Sequence, residues 1–212
     1  MKKLVVGSLI LLLGTLGWDD RGLTAQAPVP SAMQRPAVRA AEARIAADAE
    51  LKRRAMTADL ISVQAGDTTA FAQLNRCRVV HSWLLTYRSP TAVVSVHVGA
   101  VAGGAPAVRD FTESQPSTRQ AVRKALLQWK LDAEEVAARA VKHPRASCTV
   151  SSGTFFLRMD TVGSNDVPVW YTPYNIEGRP LAVNANTGQL LDVKQRPGGA
   201  FDEFILTPLG SQ

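Results

Sequence analysis

Cys77, Cys148, His81, His97 and His143 are the side chains of this 212-residue chain with the most chemistry in them. Cys77 lies between Arg76 and Arg78, four residues before His81. A thiolate held in an electropositive setting beside an imidazole is the arrangement of a thiol nucleophile and its base. The same two cysteines in an exported chain would instead form a disulfide, worth on the order of 4 kcal/mol if unstrained. Two unrelated buried thiols are the third reading. A metal site needs converging ligands at chelating spacing. In a strand-like run, the four-residue step from Cys77 to His81 does not provide that, and His143 is explained as a helix end. The chain has no Gly-x-Ser-x-Gly elbow, no phosphate-cradling glycine loop and no His-Glu-x-x-His pair. Asp132, Glu134 and Glu135 cluster because a helix starts there. No cofactor is expected.

The elements that must position these residues follow from periodicity. Residues 37–56 are rich in Ala, Arg and Glu without Gly or Pro, which predicts a helix with Val38, Ala41, Ile45 and Ala49 on its apolar face. Leu60–Val63 runs to a turn signal at Ala65-Gly66-Asp67. Arg78–Tyr87 and Ala92–Val101 read as strands of a hairpin across Arg88–Thr91, with Val108–Phe111 a short third strand. Ser117–Lys130 is predicted to be a second helix, with Ala121, Val122, Ala125, Leu126 and Trp129 as its stripe. Asp132, with Glu135 three residues on, opens a third through a capping box, and Pro144 stops it. From Cys148 the chain turns to strands: Thr149–Asp160, Val167–Thr172, Pro180–Val183 and Gln189–Val193. Phe201, Phe204, Ile205 and Leu206 form an apolar tail that packs back or meets a partner.

The two halves can be laid over each other. Cys77 precedes Leu84-Leu85 by seven residues and Cys148 precedes Phe155-Phe156 by seven, each after a helix. This predicts a duplicated α+β unit. The boundaries are a signal peptide at 1–27, a Pro-rich linker at 28–36, modules at 37–112 and 117–195, and a tail at 196–212.

The leader has a basic start at Lys2-Lys3, an apolar run from Leu4 to Leu16 and a small-x-small site at Ala25-Gln26-Ala27. Pro28 fits poorly just after a cut, so cleavage after Ala25 is the fallback, and an uncleaved N-terminal anchor is the alternative. No later run is long enough to span a bilayer. Export to the periplasm or beyond is expected. The net charge of +6 falls to +5 without the leader. The basic residues are scattered and aromatics are few, which argues against nucleic acid.

Residues 131–193 resemble the PepSY family of secreted and envelope proteins. The matching stretches are Leu131-Asp-Ala-Glu-Glu-Val-Ala-Ala-Arg-Ala-Val141, Pro168-Val-Trp-Tyr171 and Leu181-Ala-Val-Asn-Ala-Asn-Thr-Gly-Gln-Leu-Leu191. Thr187-Gly188 is the structural turn of the last, where glycine permits positive φ. Asn184 stands where the family more often has Asp. Residues 37–112 look like a divergent copy, carried by Trp83–Tyr87 and Val93–Val98. The resemblance implies an α+β fold with helices packed on curved antiparallel sheets, two cystatin-like modules in tandem. It also implies a non-catalytic role, since the family occurs in propeptides of secreted metallopeptidases and as stand-alone envelope modules.

The expectation is therefore an exported protein that binds or restrains a protein or peptide partner, a peptidase being one candidate. An exposed sheet edge would accept the partner's strand. Tyr174, in a turn, and Phe201 and Phe204, in the tail, are the expected contacts. The alternatives are an envelope structural protein without inhibitory role and a thiol-dependent enzyme using Cys77.

Overall fold

A computed structural model describes residues 37–70, 78–101, 104–148, 154–198 and 203–210. The leader, the Pro-rich lead-in, Cys77 and Phe201 lie outside the described residues. Residues 35–212 form one compact unit.

The predicted α+β architecture of helices packed on two tandem curved sheets is overturned. Strands dominate, and the second half closes into a five-strand barrel. Among the described residues, helix is confined to α1 (Ala40–Arg53), α2 (Thr118–Ala121) and α3 (Ala133–Ala140). In the first half, β1 (Asp59–Ala65), β4 (Ser82–Arg88), β5 (Val93–Ala100) and β6 (Pro106–Ser114) pair antiparallel in the order β6-β5-β4-β1. β2 (Thr68–Ala70) and β3 (Arg78–Val80) form a small ribbon between β1 and β4. In the second half come β7 (Ala146–Cys148), β8 (Phe156–Val162), β9 (Asn165–Ile176), β10 (Arg179–Asn184), β11 (Leu190–Gln195) and β12 (Phe204–Pro208). β1 pairs antiparallel with β8, so all but the ribbon belong to one ten-stranded sheet. β8 pairs with β9 on one side and, in parallel, with β12 on the other, which closes the ring β8-β9-β10-β11-β12.

The apolar tail thus supplies the strand that shuts the barrel. Alternation explains it: Leu206 points into the barrel beside Val193, while Ile205 faces out. The predicted helix at 117–130 is cut to one turn. Arg88 donates through one Nη to the carbonyls of Ala121 (2.7 Å) and Arg123 (2.6 Å). Those bonds satisfy the carbonyls that a continuing helix would have used. The chain then crosses extended: Leu126 N–H donates to Leu60 O, and the N–H groups of Lys130 and Leu131 to Ala185 O. The face of α1 is also corrected. Ala40, Ala43, Ala47 and Leu51 are buried, and Ile45 is 71% exposed. A row of alanines lets the helix axis lie close to the sheet, which outweighs burying one larger side chain.

Both helix starts are tied to a buried tryptophan in the same way. Trp83 Nε1 on β4 donates to Val38 O (2.7 Å), one residue before the Arg39 N-cap of α1. Trp170 Nε1 on β9 donates to Leu131 O (2.9 Å), one residue before the Asp132 N-cap of α3. The two indoles meet at 5.7 Å in a tilted pair at the centre of the main core.

Asp132 joins the two helices. Its carboxylate accepts from Ala133 N–H (2.8 Å) in α3 and from Ala41 N–H (3.2 Å) in α1, and Arg39 Nε lies 3.5 Å away. The residue is only 4% exposed. One carboxylate therefore occupies two positive helix ends at once. Asp132→Ala removes a cap and orphans buried donors, and is expected to cost about 2–3 kcal/mol. Urea unfolding checks this; a change under about 0.5 kcal/mol would show the carboxylate to be dispensable.

At the other end of α1, Glu50 accepts from Arg53 Nε (2.7 Å) and Arg54 Nε (2.7 Å). Hydrogen bonds from Arg53 and then Arg54 pull its carboxyl down to about 2. A depressed carboxyl contributes stability that is present above its ordinary value near 4.5 and is lost as pH falls through about 2. The Glu50 carboxyl resonance should titrate about two pH units below ordinary glutamates, and Arg53→Gln should move it back up.

Candidate functional site

The barrel interior is filled by Val169, Ala182, Leu191, Val193 and Leu206, with Tyr171 and Phe204 packed against them. A polar cluster adjoins this apolar filling. By register Arg158 stands opposite Val169 on β9, so it shares the inward face. Arg158 Nε lies 2.6 Å from Asp160 Oδ2, Tyr171 Oη donates to the same oxygen at 2.5 Å, and Arg158 Nη2 donates to Tyr171 Oη at 3.3 Å. The guanidinium also lies 5.1–5.8 Å from the rings of Tyr171, Phe204 and Phe156. Burial, then the Asp160 carboxylate, pushes the Tyr171 phenol well above its ordinary value, so it remains a donor.

A cleft of about 610 Å³ opens onto this cluster. It forms where one edge of β8 changes partner. Pairing with β1 ends at Ser62↔Arg158, and pairing with β12 is the single position Val162↔Leu206. Among the described residues, Met159–Thr161 have no ladder partner on that side. Part of β1's neighbouring edge is covered by the crossing segment, through Leu126 and Leu60. That segment carries Val122, 80% exposed, and Arg123 and Lys124 to the rim, while Arg196, Glu203 and Ile205 form the opposite lip. Four cationic side chains, Arg123, Lys124, Arg158 and Arg196, thus line the cleft against two carboxylates, Asp160 and Glu203. Lys124 is held at 2.5 Å by Asp166, and Arg196 lies 3.7 Å from Glu203.

No family model matches this chain, and no match is found among curated proteins or solved structures.

The residues singled out from sequence fall elsewhere. Tyr174, expected at the surface, is 1% exposed, because β9 runs on to Ile176 and the turn is shifted to Glu177-Gly178 with both residues at positive φ. Phe204 is half-buried on β12, its ring tilted against that of Tyr171 at 5.4 Å, so it lines the barrel. Cys148 lies on β7 opposite Tyr174 and is not a free thiol. Gly188 has φ +78° and its face is covered by the Arg139 guanidinium; Asn184 Oδ1 accepts from the N–H groups of Asn186 and Thr187, holding the same turn.

His97 does find a partner that spacing could not show. Its Nε2 lies 2.9 Å from Ser82 Oγ, across the β4–β5 pair. Ser82 is fully buried and also accepts from Asp67 N–H (2.7 Å). A substrate cannot reach it, so this is a core hydrogen-bond cluster and not a nucleophile. No group of three metal-ligating side chains occurs among the described residues. The Arg158–Asp160–Tyr171 cluster was missed from sequence. Its only trace was two charges, Arg158 and Asp160, at alternate positions of an apolar strand.

The outer strand β6 is a poor acceptor for another strand. It begins at Pro106, bulges at Arg109 and exposes Asp110 and Glu113. These devices blunt an edge.

Proposed function

We propose that this is a non-catalytic exported protein that binds a protein partner through the cleft at the barrel seam. The cleft's cationic lining beside exposed Val122 and Ile205 is the observation that supports the reading. It offers charge and apolar surface together in a concave site, as binding sites do. The basic and apolar leader at 1–27 supports export, and the likeness of residues 131–193 to PepSY sequences supports a binding role over a catalytic one. A Cys77–Cys148 disulfide belongs to the same proposal. Cys148 is not free, and Cys77 is the one other cysteine in the sequence.

The test is a photo-crosslinking residue placed at 205, on the rim, and in a second protein at 45, exposed on α1. Each is expressed in its native host and irradiated. A discrete protein adduct at 205 and none at 45 is the expected result. Equal labelling at both sites, or none at 205, would overturn the reading.

A further inference from the structure

We propose that a second site, between the starts of α1 and α3, holds the side chain of a lysine or arginine presented by a protein partner. It shares no lining residue with the barrel cleft and stands or falls independently of it.

Two observations carry it. First, a cavity of about 350 Å³ lies between the two helix starts. Alanines leave the space. Ala40 on α1 and Ala133, Ala137 and Ala138 on α3 line its sides, and the buried rings of Trp83 and Phe155 lie at its base. A concave apolar site of this size suits a short unbranched stem. Second, the mouth carries carboxylates that capping does not use up. Asp132 and Glu135 are occupied with the helix starts, where they accept from the N–H groups of Ala41, Ala133 and Asp132. Arg39, the cation of the lining, is engaged by both of them, at 3.5 Å from Asp132 and 2.9 Å from Glu135. Glu134 lines the cavity, is exposed, and has no hydrogen bond or ion pair among the described residues. Three carboxylates against one guanidinium leave this end negative on a chain of net charge +6. Lysine and arginine lay an apolar stem along apolar surface and keep the charged head at its edge. Such a side chain would fill the alanine-walled space and bring its head to Glu134. An aliphatic side chain would leave Glu134 unanswered, and an acidic one would be repelled.

The probe is the blocked tripeptide Ala-Lys-Ala, compared with the same peptide carrying norleucine or glutamate in place of lysine. Titrations into the full chain are followed by amide shifts at Val80, Ala137 and Ala138 and by the indole N–H of Trp83. Lysine should bind at least roughly fivefold more tightly than norleucine, and norleucine more tightly than glutamate. Glu134→Gln, an exposed change that leaves both caps in place, should bring lysine down to norleucine. Ala138→Phe, at the exposed rim, should fill the cavity and weaken every peptide roughly tenfold. Raised salt should weaken lysine and leave norleucine unchanged. Norleucine equal to lysine, or lysine unaffected by Glu134→Gln, would overturn the cationic occupant and with it the proposal. Shifts that survive Ala138→Phe would place the binding elsewhere and overturn it too, as would the lack of a saturable shift with any peptide. Position 205 plays no part in these measurements, so the barrel cleft is tested separately.

Discussion

Asp160→Ala is expected to destabilise the protein by about 3 kcal/mol, more than its place near a cleft would suggest. The substitution does not merely delete a surface ion pair. Arg158 is 9% exposed and Asp160 21%, so the guanidinium would be left in the barrel with its carboxylate gone. An exposed pair is worth about 1 kcal/mol or less, but a buried charge stripped of its partner costs about 3–5 kcal/mol. Tyr171 would lose its acceptor at the same time. The diagnostic comparison is the triple variant Arg158→Met, Asp160→Val, Tyr171→Phe, which removes both charges and the hydroxyl that would otherwise be orphaned. It should unfold within about 1 kcal/mol of the parent, since apolar replacement of a whole buried pair is near neutral. If the single variant were as stable as the parent, the cluster would be solvated and the polar floor assigned to the cleft would be wrong.

Trp170→Ala should cost about 4 kcal/mol. The indole is fully buried, packs edge-on against Phe155 at 6.3 Å and meets Trp83 at 5.7 Å. Its loss leaves a cavity between the halves and an orphaned carbonyl at Leu131. Trp170→Phe separates the two effects. It retains an aromatic ring, though a smaller one than the indole, and loses the donor, so about 2 kcal/mol is expected, with faster amide exchange at the start of α3. Equal losses for the two variants would show that the Leu131 hydrogen bond, not the packing, carries the contribution.

These two sites show how differently the fold and the site were legible. The strands around Trp83 and Val94–Val98 were readable because alternation in an antiparallel sheet reports burial directly. The α3 start was readable because a capping box is local: Asp132, Glu135 and the backbone between them suffice. The 117–130 helix was misread because its end is set by Arg88, some thirty residues away. The α1 face was misread because a helix of alanines has little amphipathic contrast. Barrel closure was invisible for a related reason. A five-residue strand after a turn looks like a tail until its partner is known, and β12 has partners on two different strands. The cleft exists only because of that closure, and so none of its walls could be grouped from sequence. Local composition places Tyr174 in a turn, but β9 runs on past it, paired with β7 at Cys148, and the residue is carried inside.

The segment that forms one wall of the cleft is fastened along its length: at Ala121 and Arg123 by Arg88, at Leu126 by Leu60, and at Lys130 and Leu131 by Ala185. Its consequence is kinetic. A rim already fixed has no slow rearrangement to make when a ligand arrives, and the ordering cost of association falls on the ligand alone. Observed association rates should therefore rise linearly with ligand concentration and show no plateau from a gating step. Arg88→Ala, by releasing the start of the segment, is the change that would introduce one.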